Sequence, residues 1–360
     1  MGQSEISIFI DMKTPLVYIH NGTSTFVEKD IQILKENYTV KVFHFKTTNK
    51  FAVPLQFLKE LIFLTKNIRS KLCVVQFAGY HSFLPIIFKF LFRKKCIIVL
   101  GGSDCVSFPS IKYGSFLRQP LRFFTYFSIK NAKHLCPVDK TLVNYAYSYQ
   151  ELDFKNQGYL AHFPKIKTPY TVIFNGYEKE KWLIGKKEKN SFVTIGANLG
   201  SRFGIGLKGI DLVIEIAEFF PEAEFYIIGG KAIQKEVSKN IHLLDTMPND
   251  ELPIFLATKE YYLQLSLSEG FPNALCEAML CGCIPIVSNV GAMPMIVEGI
   301  GGILQTKSVS KLRELLSEYL TKDSQEKKML SEKSRNRISE KYTLESRQKN
   351  LLELISRLQD

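Results

Sequence analysis

Two carboxylates, Glu269 and Glu277, are the residues whose types and spacing most suggest chemistry in this 360-residue chain. They lie in SLSEGFPNALCEAMLCGCIPIV, from Ser266 to Val287. YYLQLSLS (Tyr261 to Ser268) reads as a strand, and Glu269-Gly270-Phe271-Pro272-Asn273 as a tight turn. Ala274 to Leu280 carries good helix formers, Cys281-Gly282 stops them, and Pro285 opens the next apolar run. A turn of this kind brings the unpartnered N–H groups of a helix start to the C-terminal end of a strand, which suits an anion such as pyrophosphate. One carboxylate then lies in the turn and the other in the first turns of the helix. For one acid alone the helix dipole is explanation enough; the pair asks for more.

The elements that must position this pair alternate along the chain in the manner of parallel α/β layers. In the first half, PLVYIHNGTSTFV, TVKVFHFK, KLCVVQFA and KCIIVLGGSDC read as strands. VEKDIQILKENY, PLQFLKELIFLTKNIRSK and HSFLPIIFKFLFRKK read as the helices between them, and HLCPVDKTLVNYA as a short strand and helix. Near residue 170 the pattern restarts: YTVIFNGYEKEKW is a connector, NSFVTIGAN and AEFYIIGG are strands, and KGIDLVIEIAEFFP is a helix. IHLLDTMPNDELPIFLA is a strand, loop and helix leading into the carboxylate stretch. VSKLRELLSEYL and TLESRQKNLLELISRL are terminal amphipathic helices, the second with a stripe of Leu344, Leu351, Leu352, Ile355 and Leu358.

SEGFPNALCEAMLCGCIPIVS resembles the Glu-x7-Glu signature of retaining glycosyltransferases of family 4, the type that builds bacterial cell-surface polysaccharide. The Glu-Gly-Phe, the Glu-Ala-Met and the small-Gly-x-x-Pro-Ile that follows all carry the likeness. The resemblance implies an α/β GT-B fold, two Rossmann-like domains facing across a cleft. Residues 1–170 would form the acceptor-side domain and 171–340 the domain binding the nucleotide-sugar, with the helix of 341–360 packing back toward the first domain. It implies retention of anomeric configuration, the leaving phosphate assisting deprotonation of the acceptor.

The resemblance also implies roles. Glu277 holds the ribose hydroxyls, and Glu269 lies beside the transferred sugar as the chief catalytic residue. Gly270 and the amides of Phe271, Pro272, Asn273, Ala274 and Leu275 meet sugar and phosphate. Thr246 and Met247 touch the base through backbone groups. Lys208, opening Lys-Gly-Ile-Asp, binds the diphosphate; the arginine that usually follows the strand glycine is Ala197 here, and Arg202 in the same loop takes over. Gly22 ends the first strand where the family presents a small-residue loop to the phosphates. Gly101-Gly102-Ser103-Asp104 resembles a His-Gly-(Ser/Thr)-Asp turn with Gly101 at the histidine position, which leaves His81 as the histidine for the sugar or acceptor side and Asp104 as a further catalytic candidate.

Other features narrow the field. Gly204-x-Gly206-x-x-Gly209 matches a dinucleotide fingerprint in form only, because Gly196 to Gly204 separates it from its strand and no acid closes FYIIGG. No Asp-x-Asp occurs, so neither metal nor cofactor is expected, and cation work falls to Lys208, an arginine and helix N-termini. Seven scattered cysteines without a CxxC pair read as buried free thiols. No apolar run reaches the roughly 18 residues of a membrane span, and Met1 to Ile10 has no secretory pattern, so the cytoplasm is the expected compartment. Residues 1–170 hold 23 Lys+Arg against 10 Asp+Glu, net +13; the remainder holds 24 against 25, net −1. The expected partners are a nucleotide-sugar donor, a glycan or lipid-linked acceptor, and, for the basic half, an anionic membrane surface rather than nucleic acid, since no recognisable RNA or DNA module accompanies the charge. The competing readings are a sugar-nucleotide 2-epimerase-like enzyme of the same fold and a non-catalytic basic protein that binds membrane or nucleic acid.

Overall fold

LCVVQ is buried along its whole length and KCIIVL from Cys96 onward, which is what parallel strands covered on both faces require. A computed structural model describes residues 13–47, 51–151, 153–196, 199–200 and 204–359. The first sheet is built from β1 (Thr14–His20), α1 (Thr25–Asn37), β2 (Tyr38–His44), α2 (Ala52–Lys66), β3 (Leu72–Gln76), α3 (Phe83–Phe92), β4 (Lys95–Leu100), α4 (Leu121–Asn131) and β5 (His134–Pro137). Its strand order is β2-β1-β3-β4-β5, all parallel, with Leu16 opposite both Val40 and Leu72. A small antiparallel pair, β6 (Tyr145–Ala146) and β7 (Asn156–Gln157), and a short helix α5 (Tyr159–His162) follow.

The second sheet begins with β8 (Glu188–Ile195), then α6 (Gly204–Lys208), α7 (Ile210–Ala217), β9 (Glu224–Ile228), β10 (Ile241–Leu244), α8 (Leu252–Thr258) and β11 (Lys259–Gln264). It continues with α9 (Asn273–Leu280), β12 (Ile284–Ser288), α10 (Met293–Val297) and β13 (Gly302–Leu304), and ends in α11 (Val309–Thr321), α12 (Ser324–Lys341) and α13 (Leu344–Gln359). Its order is β10-β9-β8-β11-β12-β13, again parallel.

Each sheet reverses its winding once, between β1 and β3 in the first and between β8 and β11 in the second. Ligands of open α/β sheets bind beyond the strand C-termini at such switch points. Right-handed crossovers put α2, α3 and α4 together on one face of the first sheet and α1 on the other, where it meets α13. There Arg347 of α13 donates from Nε and Nη2 to both oxygens of Asp30 in α1, each at 2.6 Å and wholly buried, and its Nη1 reaches the Ile173 and Phe174 carbonyls. The last helix thus returns to the first sheet, and all seven cysteines are free and buried. The helix α12 goes beyond the sequence reading: it buries only Lys327, Ser334 and Ile338, and is announced instead by the capping box of Asp323 and Glu326.

Candidate functional site

The two residues flanking the switch point of the second sheet meet. Lys208, at the end of α6 in the loop region after β8, donates from Nζ to Glu269 Oε1 at 2.6 Å, while Glu269 sits in the turn after β11. The loop is pinned to that strand's continuation by Leu267 N–H donating to the Leu207 carbonyl at 2.8 Å. Gln264 Nε2, itself held by Tyr262 through Oε1, adds a second donor to Glu269 Oε1 at 3.1 Å. Glu269 keeps 13% of its side chain exposed and Lys208 27%, so the pair borders the cleft rather than the core. Tyr113, from the other domain, has its phenol pushed up first by burial and then by the charges of Glu269 and Asp104.

The turn itself is where the domains touch. A Cβ on Gly270 would collide with the carbonyl oxygen of Gly101, so only glycine permits this approach of the Glu269 turn to the turn after β4. Phe271 packs its ring against Phe174 and Tyr342, at 5.7 and 5.2 Å between centroids, and Leu275 is fully buried, so these residues offer the cleft only backbone. Pro272 precedes the helix and carries no N–H, which corrects the expectation of an amide there; Asn273, Ala274 and Leu275 supply the free N–H groups of the α9 start. The Asn273 side chain is taken up by structure: its Oδ1 accepts from Asn175 Nδ2 at 3.0 Å and Tyr177 Oη at 2.7 Å, fastening the connector to the helix.

Glu277 stands one helical stretch further on and opens onto a separate cavity of about 540 Å³ between the domains, lined also by Lys29, Gln32, Trp182, Asn249 and Ile254. Burial pushes its carboxyl up to about 7, with Lys29 of α1 opposing. Burial lowers the Lys29 ammonium, and Glu277 is the largest influence that raises it. That ammonium also donates to the Gly176 carbonyl at 3.1 Å and lies 4.9 Å from the Tyr177 ring centre. No sequence motif pointed to Lys29, because its meaning comes from a contact between two domains. Thr246 and Met247 lie in the loop just before Asn249, at the C-terminal end of β10.

In the first domain the candidates gather at the matching strand ends. Gly22 follows β1 and is exposed, its carbonyl 2.8 Å from His20 Nδ1. His81 and Asp104 line one cavity of about 340 Å³ with Asn21, Phe77 and Ser103. His81 is buried, Nε2 stands 2.7 Å from the Gln76 carbonyl, and burial lowers its pKa to about 4, so the ring is neutral at physiological pH and donates from Nε2. Asp104 is not placed as a free catalytic acid. Its carboxylate accepts from the backbone N–H of Ala78, Gly101 and Gly102 at 3.0, 3.2 and 2.9 Å, and these bonds assign it to bracing the turn that meets Gly270. Gly101 has no room for a side chain either: the ring of Phe77, a residue at φ 66°, fills the place where one would start. Arg202 and Ala197 lie outside the described residues. Among the described residues no group of three or more His, Cys, Asp or Glu could hold a metal ion.

Two facing parallel α/β sheets with their switch points across a cleft make a GT-B fold, and comparison with known proteins bears this out. The chain superimposes on sucrose-phosphate synthase from Thermosynechococcus elongatus with a TM-score of 0.74, covering 96% of this chain and 99% of that one at 12% identity. It superimposes on Anabaena HepE, solved with UDP and glucose, with a TM-score of 0.70, covering 96% and 100% at 13% identity. Residues 185–337, less than half of the chain, match the family model described as glycosyl transferases group 1. The chain is similar to the capsular polysaccharide biosynthesis glycosyltransferase CapH of Staphylococcus aureus, 32% identical over 36% of this chain and 38% of CapH. It is also similar to the O-antigen chain mannosyltransferase B of Escherichia coli, 30% identical over 23% of this chain and 22% of that protein. The matches therefore span well under half of these curated relatives.

Proposed function

We propose that the protein is a retaining glycosyltransferase of polysaccharide assembly that moves a sugar from a nucleotide-sugar to a glycan or lipid-linked acceptor without a metal. The observation that carries this reading is the Lys208–Glu269 pair at the switch point, beside the N-terminus of α9 and within one helix of the half-buried Glu277. Lys208 and the α9 amides neutralise the diphosphate as it departs, work that a divalent ion would otherwise do. Glu277 accepts the ribose hydroxyls, and Glu269, oriented by Lys208 and Gln264, faces the transferred sugar. The neutral His81, with Nε2 engaged, lines the first domain's cavity, where the sugar or acceptor hydroxyls would lie.

Thermal unfolding with UDP-, GDP- and ADP-sugars tests the donor, since a ligand bound only by the native state raises the melting temperature. One nucleotide class should raise it, and transfer from that donor should survive excess EDTA. Activity abolished by chelation and restored by Mg2+ would refute the metal-free mechanism, and epimerisation of the donor without transfer would refute the reaction class.

A further inference from the structure

The helix α2 is built inside out. Its buried positions include Gln56 and Glu60, both Glu60 oxygens lacking a hydrogen-bond partner among the described residues, whereas Leu55, Leu58, Leu61 and Ile62 are each 40–54% exposed and Phe51, just before it, 93%. Burial raises the Glu60 carboxyl well above its usual range, so the acid is carried inside uncharged. A soluble surface helix does the reverse, keeping acids in water and leucines in the core. The neighbouring helices continue the pattern: Phe90, Leu91 and Phe92 are exposed at the end of α3, and Phe123 on α4. The three helices share one face of the first sheet and are joined by ring contacts of Phe57 with Phe83 and of Phe83 with Phe123.

Charge on this face has one sign. The stretches 51–71, 83–95 and 118–133 each contain four Lys or Arg, of which Lys94 is buried, and their single acid is the buried Glu60. On α2 the exposed apolar row is flanked by the exposed Lys59 and Lys66, with Arg69 just beyond the helix. Exposed leucine and phenylalanine bordered by cations, with carboxylates withdrawn from the surface, match the boundary between acyl chains and anionic headgroups. A folded protein partner would offer donors and acceptors for a polar rim, and this face presents mainly cations for one. Among the described residues no helix is long and apolar enough to cross a membrane, so contact through this face is by lying on the surface.

We propose that the face formed by α2, the end of α3 and α4 is a docking surface for an anionic lipid bilayer. It lies on the same domain as the cavity of His81, so docking would bring a lipid-linked acceptor to the side of the cleft away from the nucleotide. That last point rests on the transferase reading; the docking does not.

Flotation of the full chain with phosphatidylcholine vesicles, with and without phosphatidylglycerol, is the test. Binding is expected to the anionic vesicles only, and to weaken as salt rises. The double variant Leu55→Glu/Leu58→Glu should reduce it on the order of a hundredfold, and the milder Leu55→Ser/Leu58→Ser at least about tenfold, from the lost apolar contact. Melting-temperature shifts with nucleoside diphosphates should stay as in the parent, which separates failure of docking from failure of the transferase assignment. No binding by the parent, equal binding to neutral vesicles, or variants that float like the parent would overturn the proposal. So would a concentration-dependent dimer that Leu55→Glu/Leu58→Glu dissolves, since the face would then belong to a second copy.

Discussion

Glu269 and Glu277 are the same residue type eight positions apart, yet they are held in opposite ways. Glu269 is paired within its own domain, with Lys208 at 2.6 Å and Gln264 behind it, and its geometry is complete before any ligand arrives. Among the described residues Glu277 finds no hydrogen bond of that kind; its countercharge, Lys29, belongs to the other domain, and burial lifts its pKa to about 7. One carboxylate is held by two donors of its own domain, while the other is left in need of donors, a need that the ribose hydroxyls of the proposed donor would meet. On the proposed roles, one turn and helix would divide orientation from affinity.

The largest effect should come from Glu269. Glu269→Gln removes the charge that Lys208 orients, and turnover is expected to fall by about 10²–10³, as for loss of one preorganised electrostatic group. Affinity for the bare nucleoside diphosphate should stay within about threefold, because that ligand lacks the sugar. Equal losses in rate and in nucleotide affinity would erase the division between the two glutamates.

Glu277 should show the opposite profile. Hydrogen bonds to a charged group are worth roughly 1.5–3 kcal/mol, so Glu277→Gln should weaken nucleoside diphosphate binding by about ten- to 150-fold in calorimetry. The parent should lose affinity in the same direction as pH falls through about 7, where the carboxylate takes up its proton, and Glu277→Gln should remove this component of the pH dependence. The sign for folding is the reverse. A carboxyl whose folded pKa is raised binds more protons in the native state, so its contribution to stability is lost as pH climbs from the ordinary carboxylate range through about 7. A Glu277→Gln variant that binds as well as the parent would leave Glu277 as a helix-start acid.

The smallest expected change sharpens the comparison most. Lys29→Met removes the cation that favours ionised Glu277, so the pH midpoint for nucleotide binding should move upward and affinity near pH 7 fall a few-fold, recovering in more alkaline buffer. Glu269-dependent turnover at saturating donor should change little. An unmoved midpoint would mean that the domains do not share this charge.

What the sequence disclosed and what it withheld divide along physical lines. Continuous apolar runs such as KCIIVL and IPIVS announced the buried strands, and Glu269, Glu277 and Lys208 drew attention through the family resemblance carried by SEGFPNALCEAM and Lys-Gly-Ile-Asp. Lys29, Tyr113 and the seating of Asn273 were not visible, since each gains its role from a residue about 100 to 250 positions away. Asp104 had the right type in the right turn, but three backbone bonds that no sequence displays commit it to bracing. The periodicity of α2 gave a helix without revealing that its polar side faces inward.

The ion pair of Asp30 and Arg347 has a consequence for biosynthesis. Asp30 is made early and is fully buried, yet its partner emerges from the ribosome 317 residues later. Until then the first sheet either keeps α1 loosely docked or buries a lone charge, a penalty of about 3–5 kcal/mol when one partner of such a pair is missing. The domain translated first therefore completes its outer layer last, and the two halves of the chain mature together.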